Sequence, residues 1–251
     1  MYWATPFEPG GYRFIKAVFQ YSGGVAAMPG YSITRVRISQ PVPLAAGFEK
    51  IEAFLTQRGR PLTAFCQCEL RSPAPFTETG FRSFNELYTE TLKRWSIFDG
   101  VANPVARSNV CPATEPPKEP SLYAFSFTEP GHTGEPSFVI AGGAEAPEGR
   151  ANYRDHIVRL KDVSSDGLRE KSRFVLDEME RRMGAFGVSW PDTTGVHVYT
   201  VHDLSPILRE EIVPRGAAQS GITWQYCRPP VVDLEYEMDC RRVNSEIVLT
   251  I

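Results

Sequence analysis

The alternation of apolar and polar residues predicts a helix, a strand and a second helix in the first half of the chain. Residues 47–59 place apolar side chains at helical spacing and end at a glycine, and residues 77–95 do so over a longer face. Residues 61–72, which lie between them, alternate as a half-buried strand does. These three segments define a pattern that can be searched for elsewhere in the chain.

The same order recurs in the second half. Residues 166–187 carry a long helical stripe that ends at a glycine, residues 193–203 alternate as a strand, and residues 203–213 form a shorter helical pattern. The openings also agree, because residues 19–30 and 138–149 each begin with a short apolar strand that runs into glycines. Each half then continues through a Pro-Pro pair into a last alternating strand. The sequence therefore predicts an internal repeat.

The repeat predicts an α+β fold made of two tandem domains. The first domain covers residues 1–128 and the second, diverged copy covers residues 137–251, while the Pro-, Gly- and polar-rich residues 129–136 form a linker. Each domain is expected to run strand, strand, helix, strand, helix, strand, strand. This order gives a mixed sheet with two helices packed on one face. The sheet faces and edges that are left exposed favour oligomerisation.

Composition narrows the classes of partner. The chain has 251 residues, of which 42% are apolar and 23% charged, a balance that supports a compact core. The formal net charge is -3 and the 27 Lys and Arg are scattered, so a nucleic-acid partner is not expected. The N-terminal residues show no basic leader, and no segment approaches the roughly 18 apolar residues typical of a membrane span. A cytoplasmic protein without a membrane partner is therefore expected.

The five cysteines favour free thiols over a metal site. They occur without a CxxC pair and without a histidine at zinc-ligand spacing. Cys66 and Cys68 alternate along a predicted strand and share one face, where small buried cysteines behave as apolar residues. A metal ligand or a nucleophile is the less favoured alternative, so no metal is expected.

Four short motifs of the first half resemble the RidA family, also called YjgF-like proteins. The motifs are YSGGV at residues 21–25, QRGRPL at 57–62, FNELY at 84–88, and ARSNV at 106–110 with prolines nine residues after its arginine. RidA-like proteins are small trimeric enamine and imine deaminases with a chorismate-mutase-like fold. The resemblance implies two tandem RidA-like domains that assemble as a homo-oligomer, either a trimer or a hexamer built from trimers.

In its length and its two halves, the chain is also similar to 2-aminomuconate deaminases, in particular the 2-amino-5-chloromuconate type. This similarity implies an enzyme of aromatic-compound breakdown that acts on a small anionic substrate. The implied reaction is hydrolysis of a 2-amino-unsaturated carboxylate, through its imine tautomer, to the 2-oxo acid and ammonia. Neither a metal nor an organic cofactor is implied.

The resemblance assigns four substrate-binding residues in the first half. Arg107 stands where the family keeps the arginine that grips the substrate carboxylate, and a guanidinium fork suits a carboxylate. It could instead bridge subunits or neutralise a neighbouring acid. Ser108 could add a hydroxyl to the same carboxylate or cap a turn. Tyr21 and Asn85 match pocket positions, where a ring can cover a planar substrate and an amide can position backbone or water, but each could equally be structural.

The acid that the family usually carries fifteen residues after its arginine is missing from the first half, where Leu122 occupies the position. Alignment of the two Pro-Pro pairs places Ser220 opposite Arg107 and places Glu235 at the acid position of the second half. One half therefore keeps the arginine and the other keeps the acid. A working pocket is expected to be asymmetric and to combine the two.

Three residues of the second half are candidates for proton transfer. Glu235 and Glu237 alternate along a predicted strand and so point to one face. His202, at a strand end, titrates near neutral pH. Each of the three could instead be a solvated or capping residue. Arg228 is a candidate for a second substrate carboxylate, because it lies in the segment that echoes the one around Arg107.

Two other functions remain open on the sequence alone. A binding or regulatory protein could keep a carboxylate pocket without turnover, and the absent acid at Leu122 supports that alternative. A chorismate-cleaving type of enzyme could use the same duplicated fold. An RNA-cleaving enzyme is disfavoured because the chain has no basic stripe.

Overall fold

The computed structural model describes residues 2–131 and 134–250. In chain order its strands and helices are β1 (Ala4–Phe7), β2 (Tyr12–Ile15), β3 (Gly24–Ala27), β4 (Tyr31–Pro43), α1 (Leu44–Gln57), β5 (Phe65–Arg71), α2 (Glu78–Arg94), β6 (Ala106–Pro112), β7 (Ser121–Pro130), β8 (Phe138–Ala144), α3 (Ser165–Phe186), β9 (Gly195–Tyr199), α4 (Ser205–Ile207), β10 (Thr223–Gln225), β11 (Cys227–Arg228), β12 (Glu237–Arg242) and β13 (Ser245–Leu249). The short α4 continues as a π-helical turn and a 3-10 turn to Arg215.

The predicted helices form where their caps and apolar stripes agree. The Thr77 side chain accepts a hydrogen bond from the Gly80 backbone N–H at the start of α2, and Ser164 caps α3 in the same way. The α3 helix ends at Gly187, whose φ of +73° is the left-handed conformation that glycine adopts without strain. The segment predicted at residues 203–213 is helical but irregular.

The strands form two mixed sheets. The seven-stranded sheet has the order β1-β2-β3-β8-β12-β9-β10, and the six-stranded sheet has the order β11-β6-β5-β7-β4-β13. Three pairs, β9 with β10, β5 with β6 and β4 with β13, are parallel, and the other pairs are antiparallel. Apolar side chains of α1 and α2 pack on the six-stranded sheet, and those of α3 and α4 pack on the seven-stranded sheet. The predicted α+β class, with mixed sheets that carry helices, is confirmed.

Strand pairing crosses the predicted linker in both directions. The N-terminal β3 pairs with β8, with Val25 opposite Val139, and the C-terminal β13 pairs with β4, with Ile247 opposite Val36. Each sheet therefore contains strands from both sides of residues 129–136. Of that segment, residues 129 and 130 belong to β7, and residues 132 and 133 lie outside the described residues. The division into two domains stays a prediction.

The two sheets pack face to face near β6, β8 and β12. A third apolar cluster, which includes Val25, Ala106 and Val139, fills part of the space between them. Ser22 forms a parallel bridge with Ala106, so the strand that carries the ARSNV motif is tied to the turn before β3. This packing brings the first-half motif against strands of the second half.

The five cysteines are free and buried, in agreement with the preferred interpretation of their spacing. In residues 2–131 and 134–250, no helix has the length and apolar character needed to cross a membrane.

Candidate active site

A cavity lies where the first-half strand β6 meets the second-half strands β8 and β12. We call it the junction cavity. It contains about 450 Å³ of space between atoms, including its open mouth. It is lined by Tyr21, Phe81, Arg107, Asn109, Gly142, Ala144, Ala146, Glu148, Tyr153, Pro230, Val231, Leu234 and Glu237. Both halves of the chain therefore contribute walls, and the polar groups include one guanidinium, two carboxyl groups and one amide.

Arg107 is a buried cation that forms no ion pair with any described residue. Its side chain projects from β6 and only 2% of the residue is exposed. Its guanidinium Nη1 donates a hydrogen bond of 2.5 Å to Asn85 Oδ1. In the described part of the chain, no Asp or Glu oxygen lies within 4.0 Å of this guanidinium. A charge in this position is costly unless something else compensates it.

Aromatic rings provide part of that compensation. The guanidinium carbon lies 4.9 Å from the ring centroid of Tyr88, 5.1 Å from Tyr21, 5.6 Å from Phe81 and 5.8 Å from Phe84. Three of these rings come from one face of α2, because residues three, four and seven apart on a helix share a face. Rings stabilise a cation through their negative faces, but they do not neutralise its charge.

Glu237 supplies an acid from the second half. It is the first residue of β12 and is buried. Burial raises the pKa of this carboxyl well above its usual value of 4.5, the nearby carboxylates of Asp239 and Glu145 raise it further, and the positive charge of Arg107 partly offsets the rise. The neutral form of this acid therefore persists to higher pH than that of an exposed glutamate.

Gly142 makes room for this acid. A Cβ atom at residue 142 would collide with Glu237 Oε1 and would lie 3.2 Å from Ser108 Cα. Glycine at this place on β8 therefore allows the Glu237 carboxyl group to approach the edge of β6. In the sequence, the glycines of residues 138–149 indicated only the internal repeat.

The segment after β8 adds a second carboxyl group and a tyrosine that sequence reasoning missed. Glu148 lines the cavity, and its Oε1 lies 2.9 Å from Arg182 Nη2. Burial and the nearby Glu148 raise the pKa of Tyr153 to about 12, and the same two causes raise the pKa of Tyr21 well above 10. Both phenol groups therefore stay protonated and act as hydrogen-bond donors at neutral pH.

Asn109 was also missed, although a signal for it existed. It lies two residues after Arg107 on β6, so strand alternation places both side chains on one face. Ser72 Oγ donates a hydrogen bond of 2.9 Å to Asn109 Oδ1, whereas the buried Asn109 Nδ2 has no hydrogen-bond partner in the described part of the chain. The amide thus has a fixed oxygen and an unused donor.

Ser108 lies on the opposite face of β6 from Arg107. Its hydroxyl donates a hydrogen bond of 2.7 Å to Asp239 Oδ2, which also accepts one from the Tyr199 hydroxyl. The residue is buried between the two sheets and does not line the junction cavity. The single-residue step along the strand is the reason, since neighbouring side chains point to opposite faces.

His202, Glu235 and Arg228 come together with one another and away from Arg107. Glu235 Oε2 lies 2.8 Å from His202 Nε2 and 2.9 Å from Arg228 Nη1, and none of the three lines the junction cavity. Glu235 and Glu237 were predicted to share one face, which requires a regular strand across residues 235–237. Asp233 has a φ of +71° and β12 begins only at Glu237, so the preceding residues follow a different path.

The structure thus brings three of the predicted site residues to the cavity wall, namely Tyr21, Arg107 and Glu237, and places Asn85 directly behind the guanidinium. Among the described residues, no group of three or more His, Cys, Asp or Glu side chains is arranged to hold a metal ion. The arrangement places a buried guanidinium and a carboxyl group with a raised pKa in one partly apolar enclosure, which suits acid-base chemistry on a small carboxylate.

Comparison with known proteins agrees with this chemistry. Residues 4–247 match the family described as 2-aminomuconate deaminase CnbZ. The 2-amino-5-chloromuconate deaminase of Comamonas testosteroni is 50% identical over 248 residues, which cover 98% of this chain and 99% of that protein. A chorismatase crystal structure shares the fold, with a TM-score of 0.57 at 13% identity over 95% of this chain and 78% of the other. The chain belongs to the 2-aminomuconate deaminase CnbZ family.

Proposed function

We propose that the junction cavity hydrolyses 2-aminomuconate or a chloro derivative of it to the 2-oxo acid and ammonia, as part of aromatic-compound breakdown. The family and the 50% identical 2-amino-5-chloromuconate deaminase support this reaction. The observation that carries the assignment to this cavity is the buried guanidinium of Arg107, which has no ion-pair partner among the described residues. A carboxylate substrate supplies a counterion for it.

Binding places the substrate between Arg107 and Glu237. The guanidinium holds the carboxylate next to C2 in two parallel hydrogen bonds. The rings of Tyr21 and Phe81, which line the cavity, cover the planar conjugated chain. Asn85 keeps the guanidinium in place through the bond to its Oδ1.

Glu237 is the proton donor for the first step. The enamine gains a proton on carbon and becomes the protonated imine, with both N–H protons kept, and a neutral carboxylic acid beside the chain can give that proton. The resulting carboxylate then takes a proton from a water molecule that attacks C2. Collapse of the carbinolamine releases ammonia and leaves the 2-oxo acid, so one water is consumed for each ammonia formed. General acid-base help of this kind contributes about 100- to 10,000-fold in rate.

The finer fold assignment belongs to the same proposal. We infer that the two halves are diverged RidA-like copies, because α1 and α2 pack on one sheet as α3 and α4 pack on the other. Glu235, the acid that the alignment of the halves assigned to the site, lies outside the cavity, and Glu237, two residues further on, is the acid that the second half contributes. A homo-oligomeric state, a cytoplasmic location and the absence of a nucleic-acid partner stay predictions, and light scattering on the purified protein tests the first of them.

The direct test is turnover of purified protein on 2-aminomuconate. We expect one equivalent of ammonia for each substrate consumed, measured by a coupled ammonia assay alongside the loss of the diene absorbance. Arg107→Met and Glu237→Gln serve as matched variants of the proposed groups, and chorismate serves as a control substrate. Binding of 2-aminomuconate without ammonia release would instead identify a carboxylate-binding protein, and full activity in both variants would place the chemistry elsewhere.

A further inference from the structure

The unused amide donor of Asn109 has no task in the reaction described above. The residue is 3% exposed and lines the junction cavity, and its buried Nδ2 has no hydrogen-bond partner within residues 2–131 and 134–250. Buried polar atoms are nearly always hydrogen-bonded, because an unpaired buried donor is unfavourable. An unpaired donor in a cavity wall therefore indicates a group that a ligand satisfies.

The position of Asn109 relative to Arg107 suggests which part of a ligand it meets. Their Cα atoms are separated by two residues of β6, which is roughly 6.6 Å along an extended strand. This separation is comparable to that between the two carboxyl carbons of an extended six-carbon diacid. Two donors in one row of a strand can thus hold the two ends of one dicarboxylate.

Other donors for a second carboxylate are poorly placed. Among the described residues that line the cavity, Arg107 is the one cation. Arg228, which the sequence suggested for this task, pairs with Glu235 outside the cavity and is 44% exposed in its side chain. The hydroxyls of Tyr21 and Tyr153 lie near the Glu148 carboxylate, which repels a second anion. By contrast, Asn109 Nδ2 is a side-chain donor in the cavity wall that no described residue pairs with.

We propose that Asn109 binds the second carboxylate of a six-carbon dicarboxylate whose first carboxylate is held by Arg107. The inference rests on the proposed function and extends it to substrate selection. Ser72 fixes the amide by donating to its oxygen, so that Nδ2 is the atom left for the ligand. The residue thereby distinguishes dicarboxylates from monocarboxylates of the same chain length.

Two unreactive acids test the inference by binding alone. Muconate carries a carboxylate at each end of its six-carbon diene, whereas sorbate carries one, and neither has an amino group to lose. We expect wild-type protein to bind muconate more tightly than sorbate in calorimetric titrations. Asn109→Ala should weaken muconate binding about tenfold, the effect of losing one hydrogen bond to a charged group, and should change sorbate binding less than about twofold.

Asn109→Asp provides a second variant of nearly the same shape. It places a carboxyl oxygen where the amide donor was, so its loss of muconate affinity should equal or exceed that of Asn109→Ala. Thermal unfolding of both variants confirms that the fold is kept. Equal weakening of both acids, or unchanged muconate binding, overturns the inference. If Arg107→Met abolishes binding of both acids while Asn109→Ala alters neither, this inference fails alone. If wild-type protein binds neither acid, the proposed function fails with it.

Discussion

Replacing Arg107 by methionine separates binding from folding, because the substitution should move activity and stability in different ways. Methionine keeps much of the side-chain length and its contacts with the rings but removes the charge and the donors. Each hydrogen bond to a charged group contributes about 1.5–3 kcal/mol, so two parallel bonds to a carboxylate contribute about 3–6 kcal/mol. We therefore expect kcat/KM on 2-aminomuconate to fall roughly 200- to 20,000-fold.

The effect on stability follows from the same surroundings. A buried ion without a counterion carries a desolvation penalty of several kcal/mol, and the surrounding rings return about 2 kcal/mol of it. The Asn85 bond is the one hydrogen bond to protein that the substitution removes among the described residues. Without ligand, we expect the free energy of unfolding from urea titration to fall by no more than about 1 kcal/mol. An increase in this free energy, with a higher Tm, agrees with the same reasoning.

Arg58→Met is the matched control. Arg58 also stacks on aromatic rings, with its guanidinium carbon 5.2 Å from the Phe54 centroid, but its side chain is 39% exposed and pairs with Glu129 at the surface. The kcat/KM of the Arg58→Met enzyme should stay within about twofold of wild type, since exposed ion pairs contribute only about 0–1 kcal/mol to stability. Wild-type kcat/KM in Arg107→Met would refute the carboxylate clamp. A loss of activity that merely follows a collapse in stability would show that Arg107 is structural.

Three further substitutions test the acid and its support. Glu237→Gln should lower kcat about 100- to 10,000-fold. Because the pKa of Glu237 is raised in the folded state, wild type loses stability as pH rises above the unfolded-state pKa of about 4.3. The unfolding free energy of this variant relative to wild type should therefore increase as pH rises from that value; a constant difference contradicts the raised pKa. Gly142→Ala should displace the Glu237 carboxyl and lower kcat about 100-fold with little change in Tm, and a wild-type kcat contradicts the close approach. Lys171→Met removes the ion-pair partner of the buried Glu145, whose Oε1 lies 3.2 Å from Lys171 Nζ. The free energy of unfolding in urea should fall by about 3 kcal/mol, and a fall below about 1 kcal/mol contradicts a stabilising buried ion pair.

The fold could be predicted from the sequence as far as local patterns reach. Apolar periodicity and glycine stops located α1, α2 and α3, because each helix buries one continuous stripe of its own residues. The exchange of β3 and β13 between the sheets could not be predicted in this way. Alternation tells which face of a strand is buried, but it does not say which distant strand supplies the hydrogen bonds.

The site shows the same division. Arg107 and Tyr21 were predicted from motifs, whereas Glu237 was predicted from an alternation with Glu235 that the structure does not keep. Glu148 and Tyr153 gave no signal, because they lie in an irregular segment whose burial depends on packing against α2, where Glu78 Oε1 accepts the Tyr153 backbone N–H at 3.0 Å. The deaminase class that the resemblance implied is confirmed by the family. The roles of individual residues remain proposals that the variants above test.

The pairing of Arg107 with a neutral Glu237 explains how a buried cation can stay available to substrate, and it makes one more prediction. An ionised glutamate at this place would offset the charge of Arg107 and repel the incoming carboxylate, whereas the protonated acid does neither. KM of the wild type should therefore rise as pH increases through the raised pKa of Glu237. KM of Glu237→Gln, measured on residual activity or as Kd for muconate, should stay flat over the same range because the amide cannot ionise. A wild-type KM that stays constant while kcat falls would show that Glu237 titrates without meeting the substrate anion, and the two groups would then belong to separate functions.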